Sequence, residues 1–497
     1  MDRDIHSLME TAIASMQSLI EQGYVLAAGV SGGKDSTCAM VLMLEAVRRA
    51  GHAMPGVRHY ITSSDTTIEN PSTANFLHAM LDEVAMFVED SGLPVEIHVT
   101  QPSLASQFVV STIGRGTLVR TPENGVRDGK RIRACADSWK LQPQGRLRAR
   151  LEKEASSSRV KEVISVVGTR LDESAVRRVA MTERNEQADV ATRQASGSLS
   201  LSPLRDWTSD DVWTMLGCMA DSSLGFKSPL APATIARLSD IYRAGNGGVC
   251  GVIAGESGVR AACGSRFGCA FCGVTGARDK SMEFMVQEPE HAHLKPLNEF
   301  RNYLLAIQWD LSRRELVGRT LSDVGYTRIQ ADTYGYWERI RMLRMLLSID
   351  ADERDRAERH SGELASGLIA DTEHNRMLCD PQFEFVTPRQ LVAIDFFLSM
   401  HHYAPHAFPA LAVWHDVNVL GRRYAVPDVE PRPKADIVLH GWYSVDQYDR
   451  EAPTVGLRDF NAEQWNRYSA SRACRLVRAY VSRRANGVLP GSLAVRR

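Results

Sequence analysis

Residues 24–36 read YVLAAGVSGGKDS. A short apolar run, a pair of glycines, a lysine and then hydroxyl side chains constrain this chain more than any other stretch. The apolar run predicts a buried strand over 24–30, and Ser36 to Arg49 predicts a helix that buries Met40, Leu42, Leu44 and Val47. A glycine-rich turn between a strand and a helix gathers backbone N–H groups at the positive end of the helix dipole, a place that suits phosphate. Gly32 and Gly33 let the chain approach an anion closely, Ser31, Ser36 and Thr37 add hydroxyls, and Lys34 adds charge. The turn is not the common phosphate loop G-x-x-x-x-G-K-[ST]. The first glycine of that pattern falls on Ala28, and the hydroxyl after the lysine is replaced by Asp35. Cleavage of a γ-phosphate is therefore not the expected chemistry, and Asp35 would either hold the loop or assist magnesium.

Strands and helices alternate after the turn. His59–Ser64, Val95–Val99 and Val163–Val167 read as strands, and Thr73–Glu89 as a helix. Alternation of this kind predicts an α/β domain with a mostly parallel sheet, preceded by an amphipathic helix over residues 1–22 that buries Leu8, Ile13, Met16 and Ile20. In such sheets ligands gather beyond the carboxyl ends of the strands, which marks Asp65 and Thr66 as nucleotide contacts, with a plain turn an equal alternative. Two polar stretches, Gly114–Arg133 and Thr182–Ser202, read as long loops.

The stretch Pro203-Leu-Arg-Asp-Trp-Thr-Ser-Asp-Asp-Val-Trp213 predicts a helix start. Thr208 caps it, Asp210 and Asp211 sit in its first turn, and Val212 and Trp213 turn inward.

The 497 residues suggest several domains: 1–230, 231–290, 291–430 and 431–497. The second is rich in Gly and Cys. The third is mainly helical, with Trp337, Ile340, Leu343 and Leu347 at helical spacing. The last follows a proline-rich break at Pro427–Pro433 and carries eight Arg and no acid from Gln464 onward. A solvated amphipathic helix is the expected use of that basic end, with phosphate contact the alternative. A net charge of −1 excludes a polycation that coats nucleic acid. With no apolar run of membrane-spanning length and an acidic N-terminus unlike a signal peptide, a cytoplasmic chain without membrane contact is expected.

Nine cysteines in such a compartment serve as ligands, nucleophiles or core residues. Cys250, Cys263, Cys269 and Cys272 follow a C-x12-C-x5-C-x2-C spacing among glycines, a metal signature open to zinc or an iron–sulfur cluster. Cys135 lies near Arg131, Arg133 and Lys140, which would favour its thiolate. It can receive a persulfide sulfur, act as a redox thiol, or be a half-buried core thiol. Cys38, Cys218, Cys379 and Cys474 read as core or surface thiols, and the histidines of Met400–His406 as structural, because Pro405 breaks the helix that would align them.

The six residues SGGKDS resemble the pyrophosphate loop (PP-loop) of the ATP pyrophosphatases, enzymes that split ATP between the α and β phosphates and load AMP onto an acceptor. Gly168-Thr-Arg-Leu-Asp-Glu-Ser174 with Arg177, the 203–213 stretch, and Arg133–Lys140 resemble the phosphoadenosine-phosphosulfate reductase branch. Across residues 20–350, and in CGSRFGCAFCGVTGARDKSM above all, the chain resembles the DndC/SspD-type DNA phosphorothioation proteins.

The resemblance implies an adenine nucleotide α-hydrolase-like fold, ATP with Mg²⁺ on Ser31–Ser36, and a nucleotide cleft lined by Gly168, Arg170, Arg177 and Lys140. Lys34 and Lys140 would stabilise phosphate charge, Arg170 and Arg177 would hold the α-phosphate or its acceptor, and the four cysteines would hold a [4Fe–4S] cluster. The implied partners are a cysteine desulfurase, the other phosphorothioation proteins and DNA, with AMP activating a DNA phosphate oxygen that sulfur then replaces. Three rivals remain. A phosphoadenosine-phosphosulfate reductase would carry a C-terminal Glu-Cys-Gly, which this sequence lacks. A tRNA thiolase fits GTRLDES and PLRDWT poorly. A non-catalytic nucleotide-binding scaffold would not need an intact loop.

Overall fold

The computed structural model describes residues 4–51, 53–121, 126–127, 130–131, 134–155, 160–246, 268–321, 326–400, 404, 406–434 and 442–444. Cys250, Cys263, Arg133, the histidines at 401 and 402, Cys474 and the basic end beyond Gln464 lie outside these residues. The chain divides into two compact units, residues 1–103 with 122–298, and residues 104–121 with 299–497.

The first unit opens with α1 (Ile5–Glu21), β1 (Val25–Val30), α2 (Lys34–Ala50), β2 (His59–Ser64), α3 (Pro71–Asp90) and β3 (Val95–Thr100). Two-residue strands β4 (Val126–Arg127) and β5 (Lys130–Arg131) pair with each other, and α4 (Ala134–Ala136) runs through a π-helical turn into α5 (Gln142–Ala155). Then come β6 (Val163–Val166), α6 (Ala175–Glu183), β7 (Thr192–Arg193), β8 (Leu199–Leu201), α7 (Ser209–Ala220), α8 (Pro232–Ala244) and α9 (Lys280–Met285).

The sheet order is β3-β2-β1-β6-β8-β7, parallel throughout except for β7 at the edge. β1 lies at its centre, with Ala28 level with Ile61 on one side and Val166 on the other. A central parallel strand is covered on both faces, which is why its sequence is apolar rather than alternating. Behind it α2 is buried from Thr37 to Val47. His59 accepts the Leu26 amide at 3.0 Å through Nδ1, and burial lowers its pKa to about 4, so its imidazole stays neutral between β1 and β2.

Strand order runs outward from β1 in one direction through β2 and β3 and in the other through β6 and β8. The carboxyl ends of β1 and β6 thus form the switch point at which α/β sheets open a crevice. This is a mixed α/β fold with a mostly parallel central sheet, as the alternation of strands and helices implied.

Several local expectations change. In α1 it is Met9, not Leu8, that joins Ile13, Met16 and Ile20 in the core, because the buried stripe drifts around the helix. The polar 182–202 stretch is not all loop. Its Leu199 and Leu201 point inward and extend the sheet as β8, with β7 folded back on it. α8 occupies what composition marked as the Gly- and Cys-rich region. At α7, Thr208 and Asp211 form the reciprocal cap expected of a helix start. Trp213, however, is only half-buried, and the tryptophan fully inside is Trp207.

The second unit contains α10 (Lys295–Ala306), most of which belongs to it, β9 (Arg314–Leu321), β10 (Tyr326–Tyr334), α11 (Tyr336–Ala365), α12 (Glu373–Met377), α13 (Pro388–Met400), α14 (Pro409–Asn418) and β11 (Trp442–Ser444). It is mainly helical, as expected, with an antiparallel sheet, β11-β10-β9, that the sequence did not announce. Around the 30-residue α11, Ile340, Leu343 and Leu347 are buried, whereas Trp337 is 69% exposed. Two of its buried ionisable side chains are held by the backbone. Arg339 donates from Nε to the Ile113 carbonyl at 2.6 Å, and Asp350 accepts the Phe385 and Val386 amides at 2.9 Å each. Among the described residues no helix is long and apolar enough to cross a membrane.

Candidate functional site

The loop between β1 and α2 is built by its own small residues. Gly32 takes a left-handed φ of +72°, which a side chain would oppose, and Gly33 caps α2 in an extended conformation. The Ser31 amide donates to Ser36 Oγ at 3.2 Å, and the Ser36 and Thr37 hydroxyls both donate to the Gly33 carbonyl, at 2.9 and 3.0 Å. The Lys34 amide donates to the Tyr242 hydroxyl of α8 at 3.4 Å, and Trp213 stands edge-on to the same tyrosine at 5.5 Å.

The charged centre lies at the start of α2. Lys34, 4% exposed, bonds both carboxylate oxygens of Asp35, at 3.0 and 2.9 Å. Asp35 also accepts from Arg170 Nε at 2.6 Å, and Arg170, 2% exposed, donates to the Trp207 carbonyl. One carboxylate thus holds two cations. The next acid, Asp172, is 3.7 Å from Arg170 and half-exposed, where solvent screens it. The crevice keeps a local excess of positive charge beside the amides of the loop, and Asp35 has the geometry of a residue that holds the loop together.

Gly168 closes the site from β6. A Cβ there would stand 2.5 Å from the Asp35 carbonyl oxygen and 2.7 Å from the Ser36 nitrogen. Only glycine lets the segment after β6 press against the first turn of α2.

Other expected residues are placed apart from this knot. Arg177 lies on α6, exposed, and pairs with Glu173 at 2.8 Å. Asp65 closes a turn beyond β2. Its carboxylate accepts the Thr67 amide at 2.6 Å and the Gln101 side chain at 2.7 Å, and Thr67 has a φ of +66°. Thr66 is fully buried, its hydroxyl 3.5 Å from Cys269 Sγ.

The end of β2 therefore meets the cysteine segment. Ala270 donates to the Ile68 carbonyl at 2.7 Å, Glu69 and Cys269 form an isolated antiparallel bridge, and Lys140 Nζ reaches Glu69 at 2.9 Å. Burial, with Glu69 adding to it, pushes the Cys269 thiol up against the pull of Lys140. Burial works against the Lys140 ammonium, but Glu69 and Cys269 outweigh it and its pKa rises. Cys269 and Cys272 lie one turn apart, the Cys272 amide donating to the Cys269 carbonyl, and Gly268 lies close enough that a Cβ would touch Cys272. Two thiols on a turn cradled by glycine fit the first half of a thiolate metal site. The other two expected ligands, Cys250 and Cys263, lie outside the described residues. Among the described residues alone no group of three or more potential ligands forms. Cys135 is half-buried on α4. Cys38 is buried beneath Val212, and burial raises its thiol pKa.

Tyr242 and Glu69 went unread in the sequence. Both act through partners about 70 to 210 positions away, and neither lies in a motif.

Residues 25–220 match the family model described as the phosphoadenosine phosphosulfate reductase domain. This segment is a reductase-like domain. It takes in the loop, Gly168, Arg170 and the α7 cap, but ends before Tyr242 and the cysteine segment. Among solved structures, the phosphoadenylyl-sulfate (PAPS) reductase from Candida auris, in a phosphate complex, is similar at 13% identity over 46% of this chain and 94% of that chain, with a TM-score of 0.26. No curated protein matches this chain.

Proposed function

We propose that the chain is an ATP pyrophosphatase that adenylates a DNA backbone phosphate for sulfur incorporation, in the manner of the DndC/SspD-type phosphorothioation proteins. The observation that carries this reading is the SGGKDS turn set at the β1/β6 switch point, with the side chains of Lys34 and Arg170 both held on the Asp35 carboxylate. A reductase-like domain over residues 25–220 supports an adenosine nucleotide as the ligand.

In this reading the Ser31–Ser36 turn holds the phosphate tail and Mg²⁺ neutralises part of its charge. Lys34 takes up negative charge on the departing pyrophosphate, and Asp35 holds Lys34 and Arg170 in place as that charge moves. The bond broken joins the α-phosphorus to its bridging oxygen toward the β-phosphate. A non-bridging oxygen of the DNA phosphate forms the new bond to the α-phosphorus. The outer sulfur of a protein persulfide, supplied through a cysteine desulfurase, then attacks the DNA phosphorus, AMP departs with the activated oxygen, and a second thiol reduces the remaining S–S bond, leaving the phosphorothioate and a disulfide. Cys250, Cys263, Cys269 and Cys272 would hold a [4Fe–4S] cluster, whose chemistry is electron and sulfur handling. Glu69 and Lys140 connect the end of β2 to that segment. The other sulfur-transfer proteins of such a system are the expected partners.

The test is reconstitution with ATP, Mg²⁺, a desulfurase, cysteine and DNA, followed by nuclease digestion and mass spectrometry. Phosphorothioate-linked dinucleotides are expected. AMP and pyrophosphate without any sulfur in the DNA would reject DNA as the acceptor. The domain match also favours a second reading, reduction of phosphoadenosine phosphosulfate. Sulfite release from that compound with a thiol reductant, and no turnover of ATP, would select it.

A further inference from the structure

The second unit carries a groove of about 610 Å³ along the start of α11, bounded on its other side by the chain after α14. The volume falls within the roughly 300–1,000 Å³ of small-ligand sites. Trp337, Arg341, Arg344 and Met345 lie four, three and one residues apart, so they form one stripe on the helix. Arg423 and Tyr424 face them across the groove.

Of the groove's two aromatic rings, Trp337 is the exposed one. The Trp337 indole is 69% exposed, and its ring neighbour among the described residues is Tyr336, 5.0 Å between centroids at 72°, so most of the indole surface is open. The groove's cationic surface is only partly used. Arg341 spends one nitrogen on Glu338 at 3.2 Å. The Arg344 guanidinium lies over the Tyr424 ring at 5.1 Å, and among the described residues no carboxylate pairs with it. Arg423, by contrast, is fully engaged with Asp352 and Asp355 at 2.7 Å each and serves as wall. Among the described residues no acid lines the groove.

An open indole beside an arginine stacked on tyrosine, with a second arginine one turn earlier, presents π-faces and phosphate donors in alternation. That is the chemistry of single-stranded nucleic acid binding, where bases stack on aromatics and the backbone follows the cations. The chain's own basic end from Gln464, with eight arginines and no acid, would offer Arg341 and Arg344 only like charge. An apolar peptide would leave Arg341 and Arg344 unmatched.

We propose that Trp337, Arg341, Arg344 and Tyr424 form a single-stranded nucleic-acid subsite. It deepens the preceding reading and rests on it for the identity of the acceptor, because it would hold a strand in the unpaired state.

The full chain, without ATP, would be titrated with a fluorescent oligo-dT by anisotropy, and the tryptophan emission followed in parallel. Binding is expected to quench that emission. Trp337→Ala should weaken binding about tenfold, and Trp337→Phe should restore most of it. Arg344→Gln should weaken binding and lower the slope of log affinity against log salt by about 0.7. Trp337 is exposed, so its replacement should leave the melting temperature in place. Unchanged affinity in Trp337→Ala, or tighter binding of poly-glutamate than of oligo-dT, would overturn the proposal. Nucleotide products would be assayed separately without DNA. AMP formation with a Trp337→Ala protein that binds normally rejects the groove alone. Groove binding with ADP formation upholds the groove and rejects the nucleotide reading.

Discussion

Gly168 shows how tightly single residues determine this site. Its missing Cβ is the space into which the Asp35 carbonyl fits, and the obstruction an added methyl would meet is backbone, which cannot swing away. Gly168→Ala should therefore push the segment after β6 off the first turn of α2 and pull Arg170 from Asp35. Overpacking of this kind costs about 1–3 kcal/mol. We expect a loss of that size in urea denaturation, together with at least a tenfold loss of nucleotide turnover. A variant as stable and active as the parent would mean that the segment shifts freely. Asp35 is the second such residue. The sequence left it between holding the loop and assisting magnesium, and the structure shows it bound to Lys34 and Arg170, the latter 135 positions away. No local pattern announces a partner at that distance.

Elements whose identity lies in their own sequence were legible. VLAAGV is apolar without alternation and became the central strand; the Thr208–Asp211 cap announced α7. Elements whose identity comes from a neighbour were not. β8 is three residues long, and only its Leu199 and Leu201 mark it within a polar stretch. β9 and β10 carry charged and polar residues through a region where α11 dominates the pattern.

Asp350 illustrates an element held by a group that no periodicity reveals. It caps the chain at Phe385 and Val386 from the middle of α11, and burial raises its pKa from the ordinary 3.8 to about 7 despite the two amides it accepts. Because the folded pKa lies above the unfolded one, its contribution is fully present below about pH 4 and is lost as pH rises through about 7. Relative to Asp350→Asn, the parent should lose on the order of 4 kcal/mol between those limits. Denaturation of both proteins from pH 4 to 8 measures this, and parallel curves would contradict it.

For the whole molecule, the nucleotide crevice and the cysteine segment share one unit, joined in the turn beyond β2 through Glu69, Lys140 and Cys269. Protein isolated without oxygen should be brown with about four irons per chain, and Cys272→Ser should lose that iron while still binding ATP. Colourless protein holding one zinc would contradict the cluster. The nucleotide chemistry itself is read most directly by phosphorus NMR of ATP incubated with the protein and Mg²⁺. Growth of AMP and pyrophosphate resonances is expected; growth of ADP and orthophosphate instead would show that the loop breaks the other bond.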